Sequence, residues 1–311
     1  MRFYSPYAAD GKFFLLPSSP MIELPAMRQT LFLRDFTVLD FAFLHGEQGL
    51  LGDSLHVSAE LEGELDEQGF ILDFGPAKKI LKKLVDDTLD HKLVIPGLNS
   101  RLKGTAKGLE FAGLLYEAPD EAVEVLEGEE ITIPLLAEFL EKEAMQRLPA
   151  NVKGVKFLLR PEARFDSEPN YRYTHGLRLH DGNCQRLLHG HRNPVEVWRG
   201  SERVRALEEF LAAEWENAHF TFAPTLVSKL DLPLGRRQKA LPGLAEIAYD
   251  SPQGSFRAHL PAARIILLST EPSIENIARL GAERLQAEGH GLLRVVAYEG
   301  LNKGASFKLA P

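Results

Sequence analysis

Two histidines one residue apart, His189 and His191, follow the chain's only cysteine, Cys184, in DGNCQRLLHGHRN (Asp181 to Asn193). In a β-strand, side chains at i and i+2 project to the same face, so both imidazoles point one way and Gly190 the other. Two imidazoles at that spacing can share one divalent ion. A third has to come from a neighbouring strand, and His175 lies in the segment expected to pair with this one at a suitable register. Five of the ten histidines (His175, His180, His189, His191 and His219) crowd into this one region, which makes a chance pairing a weaker explanation. Three neutral imidazoles with a fourth position open describe catalytic zinc, where water or a substrate oxygen completes the coordination. The plainer alternative for His-x-His is a solvated strand face. For Cys184 three roles stay open: a zinc ligand, a thiolate base beside the metal, or a small buried hydrophobe. Its loop position upstream of the strand favours the base over the ligand.

The elements that must position these residues occur twice. ITIPLLAEFLEKEAMQRLPANVKGVKFLLRPEARF (Ile131 to Phe165) and LLSTEPSIENIARLGAERLQAEGHGLLRVVAYEGLNKG (Leu267 to Gly304) superpose without gaps, placing Glu138 on Glu275 and Glu162 on Glu299. Each reads as an amphipathic helix, carried by Leu136, Phe139, Leu140 and Met145 or by Ile274, Ile277, Leu280 and Leu285, followed by a strand. Upstream, RDFTVLDFAFL (Arg34 to Leu44) parallels NYRYTHGLRL (Asn170 to Leu179), each an alternating strand leading through a Gly-containing loop to a second strand. Those second strands are LHVSAELEG (Leu55 to Gly63) and NPVEVWRG (Asn193 to Gly200). Helices are expected at Phe74 to His91 and at Ser201 to His219. QGFILDFG (Gln68 to Gly75) reads as a further strand that the second half lacks.

Each half is thus expected to be an α+β unit, an antiparallel sheet with helices on one face. The expected division is an N-terminal arm at residues 1–30, a first domain at 31–165 and a second at 166–311, with the break in polar ARFDSEPN (Ala163 to Asn170). Sheets with unpaired edges seek strands from neighbours, so a homo-oligomer, dimer or trimer, is expected.

The net charge of −8 and the lack of any Lys/Arg block argue against nucleic acid as a partner, leaving a small molecule. No apolar run approaches the ~20 residues of a membrane span. MRFYSPYAADGKFFLL lacks the pattern of a secretory signal, and a single cysteine makes no internal disulfide, so the expected location is the cytoplasm.

A cysteine shortly before His-Gly-His, an upstream strand histidine, a DFG…K helix ending in Leu-Asp-His, a glutamate opening a helix and a last strand ending in glutamate occur here in that order. Together they resemble the 6-pyruvoyl-tetrahydropterin synthase / 6-carboxytetrahydropterin synthase family of tunnelling-fold (T-fold) enzymes. Both halves take part, so the chain resembles a tandem fusion of two such domains, which in that family assemble into an oligomeric β-barrel. The resemblance implies a zinc lyase that acts on 7,8-dihydroneopterin triphosphate, a pterin triphosphate, with loss of triphosphate. Its product would be 6-carboxytetrahydropterin, on the queuosine route, or 6-pyruvoyl-tetrahydropterin. Carried over by position, His175, His189 and His191 would hold Zn2+, Cys184 would be the acid–base residue, and Asp90 and His91 the proton-relay dyad. Glu299 would anchor the pterin, with Glu275 also at the substrate.

The halves depart from that pattern in opposite ways. The first carries Asp40, Leu51 and Asp53 at the zinc positions, so its triad is lost while its Asp–His dyad is kept. In the second, WENAH (Trp215 to His219) keeps His219 but has Ala218 for the aspartate. A composite site is therefore expected: metal, thiol and Glu299 from a second half, Asp90–His91 from a first half of the same or another chain. Arg186 and Arg192 could meet the triphosphate or be merely solvated. The alternatives are a non-catalytic pterin- or purine-binding protein of this fold, or a dihydroneopterin aldolase-like enzyme of folate synthesis. The second is disfavoured because relatives proposed for that role carry Glu where Cys184 stands.

Overall fold

Two long strands open the fold, β1 (Gln29–His45) and β2 (Gly49–Gly63), paired antiparallel about a short turn. Alternation sends their odd-numbered residues, among them Leu39, Phe41, Leu55 and Val57, into one apolar core. Even-numbered Ala42, Leu44 and Leu50 enter a different core, so these strands are buried on both faces. Helix α1 (Phe74–Thr88) and α2 (Ile133–Met145) cover the odd face with Leu81, Leu84, Val85, Leu136 and Leu140. Between them run β3 (Leu93–Pro96), β4 (Leu102–Gly104), β5 (Leu109–Phe111), β6 (Leu114–Glu117) and β7 (Val123–Leu126), and β8 (Val152–Arg160) closes the half.

The computed structural model describes residues 29–106 and 108–309. The expected arm at 1–30 lies outside these residues, save for Gln29 and Thr30, which begin β1.

The second half repeats the plan. It comprises β9 (Asn170–His175), β10 (His189–Arg199), β11 (Glu202–Arg203), α3 (Arg205–Trp215), β12 (Ala218–Phe222), β13 (Leu244–Ser251), β14 (Gly254–Pro261), β15 (Ile265–Leu268), α4 (Ile274–Ala287), β16 (Arg294–Tyr298) and β17 (Gly304–Lys308). Tyr171, Tyr173, Val195 and Val197 pack under α3 and α4.

The class is α+β, but the sheets are mixed rather than antiparallel. Their orders are β7-β3-β1-β2-β8 and β15-β12-β9-β10-β16-β17. After each first helix the chain returns alongside its starting strand, so β3 runs parallel to β1 and β12 parallel to β9. A third sheet, β13-β14-β6-β5-β4, joins hairpins from both halves through β14 and β6, so the halves share structure rather than standing apart.

Three expected elements differ. Gln68 to Gly75 forms no strand: Asp66 accepts the amides of Gln68 and Phe70, and the chain turns into α1. The expected extra strand of the first half is therefore absent. The first expected helix stops at Thr88, leaving Asp90 and His91 beyond it. The second spans only Arg205–Trp215, because Glu202–Arg203 folds back on β10 and Ala218 already belongs to β12. No helix among the described residues is long and apolar enough to cross a membrane.

The sheets of the two halves meet at glycine. A Cβ on Gly52 would stand 2.3 Å from the Tyr173 carbonyl oxygen and 2.5 Å from the His191 nitrogen. A Cβ on Gly190 would stand 2.6 Å from the Cα of Gly52. Backbone thus touches backbone beside the histidine pair.

Candidate active site

Antiparallel pairing of β9 and β10 sets His189 opposite His175 and His191 opposite Tyr173. The three imidazoles share a face, with ring centroids 4.3, 5.2 and 5.4 Å apart. Each offers a ring nitrogen, and these lie within 4.8 Å of one another. The outward nitrogens face polar groups: His175 Nδ1 donates to the Pro272 carbonyl and His189 Nδ1 to the Arg186 carbonyl, each at 2.8 Å. His191 Nδ1 lies 3.3 Å from Asp40 Oδ1. Such partners fix the tautomer that leaves the inward Nε2 lone pairs free. All three rings are fully buried, and His189 Nε2 has no hydrogen-bond partner. Burial, reinforced by neighbouring histidines, holds His175 and His189 well below the ordinary histidine range. The unpartnered His189 Nε2 and the Nε2 atoms of His175 and His191, 3.2 Å apart, converge as ligands of a divalent ion such as zinc would.

Asp90 and His91 come from the first half of the same chain. Beyond α1, His91 takes φ +56°. Asp40 secures the turn with its backbone: its N–H donates to Asp90 Oδ1 at 2.9 Å, and its carbonyl accepts the His91 N–H at 2.7 Å. His91 Nδ1 donates to Asp90 Oδ2 at 2.5 Å. Burial opposes a charge on His91, but the Asp90 carboxylate outweighs it and raises the imidazole well above its usual range. The His91 ring centroid is 5.1 Å from that of His189. Cys184 Sγ lies within 4.8 Å of ring nitrogens of both. Thiol, dyad and imidazole triad thus form one cluster across the two halves.

Cys184 sits on a short 3-10 turn, Asn183–Gln185, held by the hairpin of β13 and β14: Tyr249 donates to the Gln185 carbonyl and Gln253 to Asn183 Oδ1. Arg186 ties this loop to the dyad, its Nη1 lying 3.4 Å from the carbonyls of both Asp90 and His91. Arg192 donates to Asn170 and lies over the Phe165 ring. Both guanidiniums are committed to protein partners.

Glu299 follows β16, half-buried, with its N–H donated to the Lys303 carbonyl. Its charge adds to burial in raising the Tyr173 phenol well above the usual range. The next residue, Gly300, has φ +69°, and a Cβ there would stand 2.3 Å from both Asp40 carboxylate oxygens, so glycine seats this turn against the cluster. Glu275 is instead exposed in the first turn of α4 and is not brought to the cluster. Glu162, its half's counterpart of Glu299, pairs with His56 at 3.1 Å.

Hydrogen bonds give a sharper correspondence between the halves than sequence did. Arg172 N donates to Glu216 and Arg172 O accepts Asn217 N, with Asn217 at φ +58°. This repeats the clamp of Asp40 on Asp90 and His91. The dyad thus corresponds to Glu216–Asn217 rather than Ala218–His219, and Asp40 to Arg172. Three residues further along each strand, His175 corresponds to Phe43, not Asp40. Across the strand pairs His189 and His191 correspond to Leu51 and Asp53. Where the second half turns His191 toward Asp40, the first turns Asp53 toward Arg172, at 3.4 Å. Asp40, Ser54, Arg186 and Lys303 carry no local sequence signal for their places here, since each acts on residues remote in the chain.

A tandem α+β protein with one three-imidazole centre is the class that fold and site define. The family model for 6-pyruvoyl tetrahydropterin synthase matches residues 44–160 and again 164–310, so the chain belongs to that family, twice over. A protein of Pyrococcus horikoshii named "Putative 6-carboxy-5,6,7,8-tetrahydropterin synthase" is 26% identical over 120 residues, 39% of this chain and 73% of the relative. One of the same name from Pyrococcus abyssi is 27% identical over 107 residues, 34% of this chain and 65% of the relative. Among solved structures, 6-pyruvoyl tetrahydropterin synthase of Plasmodium falciparum is similar at 14% identity, covering 42% of this chain and 90% of that one, with TM-score 0.35.

Proposed function

We propose that this chain is a zinc-dependent pterin lyase that converts 7,8-dihydroneopterin triphosphate to 6-carboxytetrahydropterin or 6-pyruvoyl-tetrahydropterin with loss of triphosphate. The observation that carries the reading is the gathering of His175, His189, His191, Cys184 and the Asp90–His91 dyad into one cluster, in a chain that matches the synthase family twice. His175, His189 and His191 would hold the zinc, which supplies Lewis acidity toward a substrate oxygen. Cys184, beside His91, would take a proton from a substrate carbon. His91, oriented by Asp90, would relay a proton. The Glu299 carboxylate can accept two parallel hydrogen bonds from the 2-amino group and ring N–H of a pterin.

The test is metal analysis followed by incubation with 7,8-dihydroneopterin triphosphate, with products identified by mass spectrometry. Triphosphate release that depends on both zinc and Cys184 is expected, and Cys184→Ala should abolish it. Accompanying acetaldehyde identifies the carboxy product, whereas the pyruvoyl product keeps all the side-chain carbons. Bound zinc with no product would favour a pterin- or purine-binding protein without turnover.

A further inference from the structure

We propose that Asp40, which belongs to the half without the imidazoles, is the positioning residue of the metal centre: its carboxylate orients His191 while its backbone holds the Asp90–His91 dyad alongside. The inference deepens the zinc reading above and rests on it.

The carboxylate is almost fully buried, at 2% exposure, and its surroundings fix it in place. Ser54 Oγ donates to Oδ1 at 2.5 Å, and the same hydroxyl accepts the Arg192 N–H at 3.1 Å, pinning β10 next to His191. Lys303 Nζ lies 3.4 Å from Oδ2, and Gly300 closes the remaining side. Oδ1 is 3.3 Å from His191 Nδ1, a buried nitrogen that no hydrogen bond satisfies.

A carboxylate in that place favours the tautomer with hydrogen on Nδ1 and the lone pair on Nε2. It also makes the imidazole a stronger donor than a neutral carbonyl partner does. His175 and His189 have only main-chain carbonyls behind them. His191 is therefore the one ligand of the three with a charged partner. The same residue's amide and carbonyl fix Asp90 and His91. One residue thus couples ligand orientation to dyad position, across the boundary between the halves. The structural counterpart of Asp40 is Arg172, so the two halves have been given opposite charges at this point, and only the Asp40 side faces an imidazole.

The experiment compares metal-free wild type, Asp40→Asn and Asp40→Ala, with Glu162→Gln as a control carboxylate outside the cluster. Zinc affinity is read by competition with a chromophoric chelator, and ligand geometry by the visible absorption of the Co2+ form. Asp40→Asn and Asp40→Ala should weaken zinc by about 10–100-fold, the range for lost outer-shell partners, and should alter the Co2+ spectrum at saturation. Glu162→Gln should change neither. Should Asp40→Ala fail to fold, Asp40→Asn, of nearly the same shape and with the main-chain clamp intact, decides alone. Tight zinc binding by wild type with affinity and spectrum unchanged in Asp40→Asn overturns this proposal and leaves the lyase reading standing. A wild-type chain that takes up no zinc overturns both.

Discussion

Gly52 and Gly190 touch where the sheets of the two halves cross, at a separation that admits no side chain on either. His191 is the next residue along β10, so the spacing of the sheets and the seat of that imidazole are set together. Replacing either glycine by alanine should destabilise the fold by about 1–3 kcal/mol, as overpacking does, and should weaken zinc binding as well. Urea unfolding together with metal analysis measures both. A Gly190→Ala chain of wild-type stability would show that the crossing is looser than described.

The dyad and the thiol lie together within one chain, and this makes a prediction about mixed oligomers. His91→Ala and Cys184→Ala should each lower kcat by about 10²-fold or more while keeping the wild-type zinc content. Co-refolded mixtures of the two inactive chains should regain no activity, because every site would still lack one partner. Recovered activity would mean that the working dyad comes from a neighbouring chain.

In the first half, Asp53 and Arg172 face one another where the second half has His191 and Asp40. Burial acts to raise the Asp53 carboxyl, and Arg172 pulls it back. Arg172→Met should therefore destabilise by about 1–3 kcal/mol, by leaving a mostly buried carboxylate unpaired. Adding Asp53→Asn should recover much of that loss, giving a clear coupling in a double-mutant cycle. Zinc should stay near one ion per chain throughout. Two ions per wild-type chain would contradict the loss of ligands at Phe43 and Leu51.

Acid should destabilise the chain through His219. Burial is the main cause that lowers its pKa from 6.5 to about 3, and its Nδ1 is hydrogen-bonded to Thr174 at 2.9 Å. Between those two values the unfolded chain binds a proton that the folded chain does not. Stability therefore falls as pH drops from 6.5 toward about 3, by on the order of 5 kcal/mol from this group. Leu93 is its counterpart in the first half, so His219→Leu is the natural substitution. It should make the acid limb of the stability–pH curve shallower by about one proton, measured by urea unfolding at a series of pH values. An unchanged slope would remove His219 from the account.

The duplication, the α+β class and the histidine trio could be read from the sequence because they rest on local periodicity. A two-residue repeat sends His189 and His191 to one face, and an apolar stripe marks α1, α2 and α4 as helices. The register that sets His189 opposite His175 follows from pairing two neighbouring strands. What lies between the halves is different in kind. The place of Asp90–His91 beside the thiol of the same chain, the match of the dyad to Glu216–Asn217 rather than Ala218–His219, and Asp40 standing behind His191 all depend on backbone hydrogen bonds and a glycine crossing between remote segments. Such contacts leave no periodic trace along the chain. Tertiary structure alone decided them, because they exist only once the two sheets are stacked.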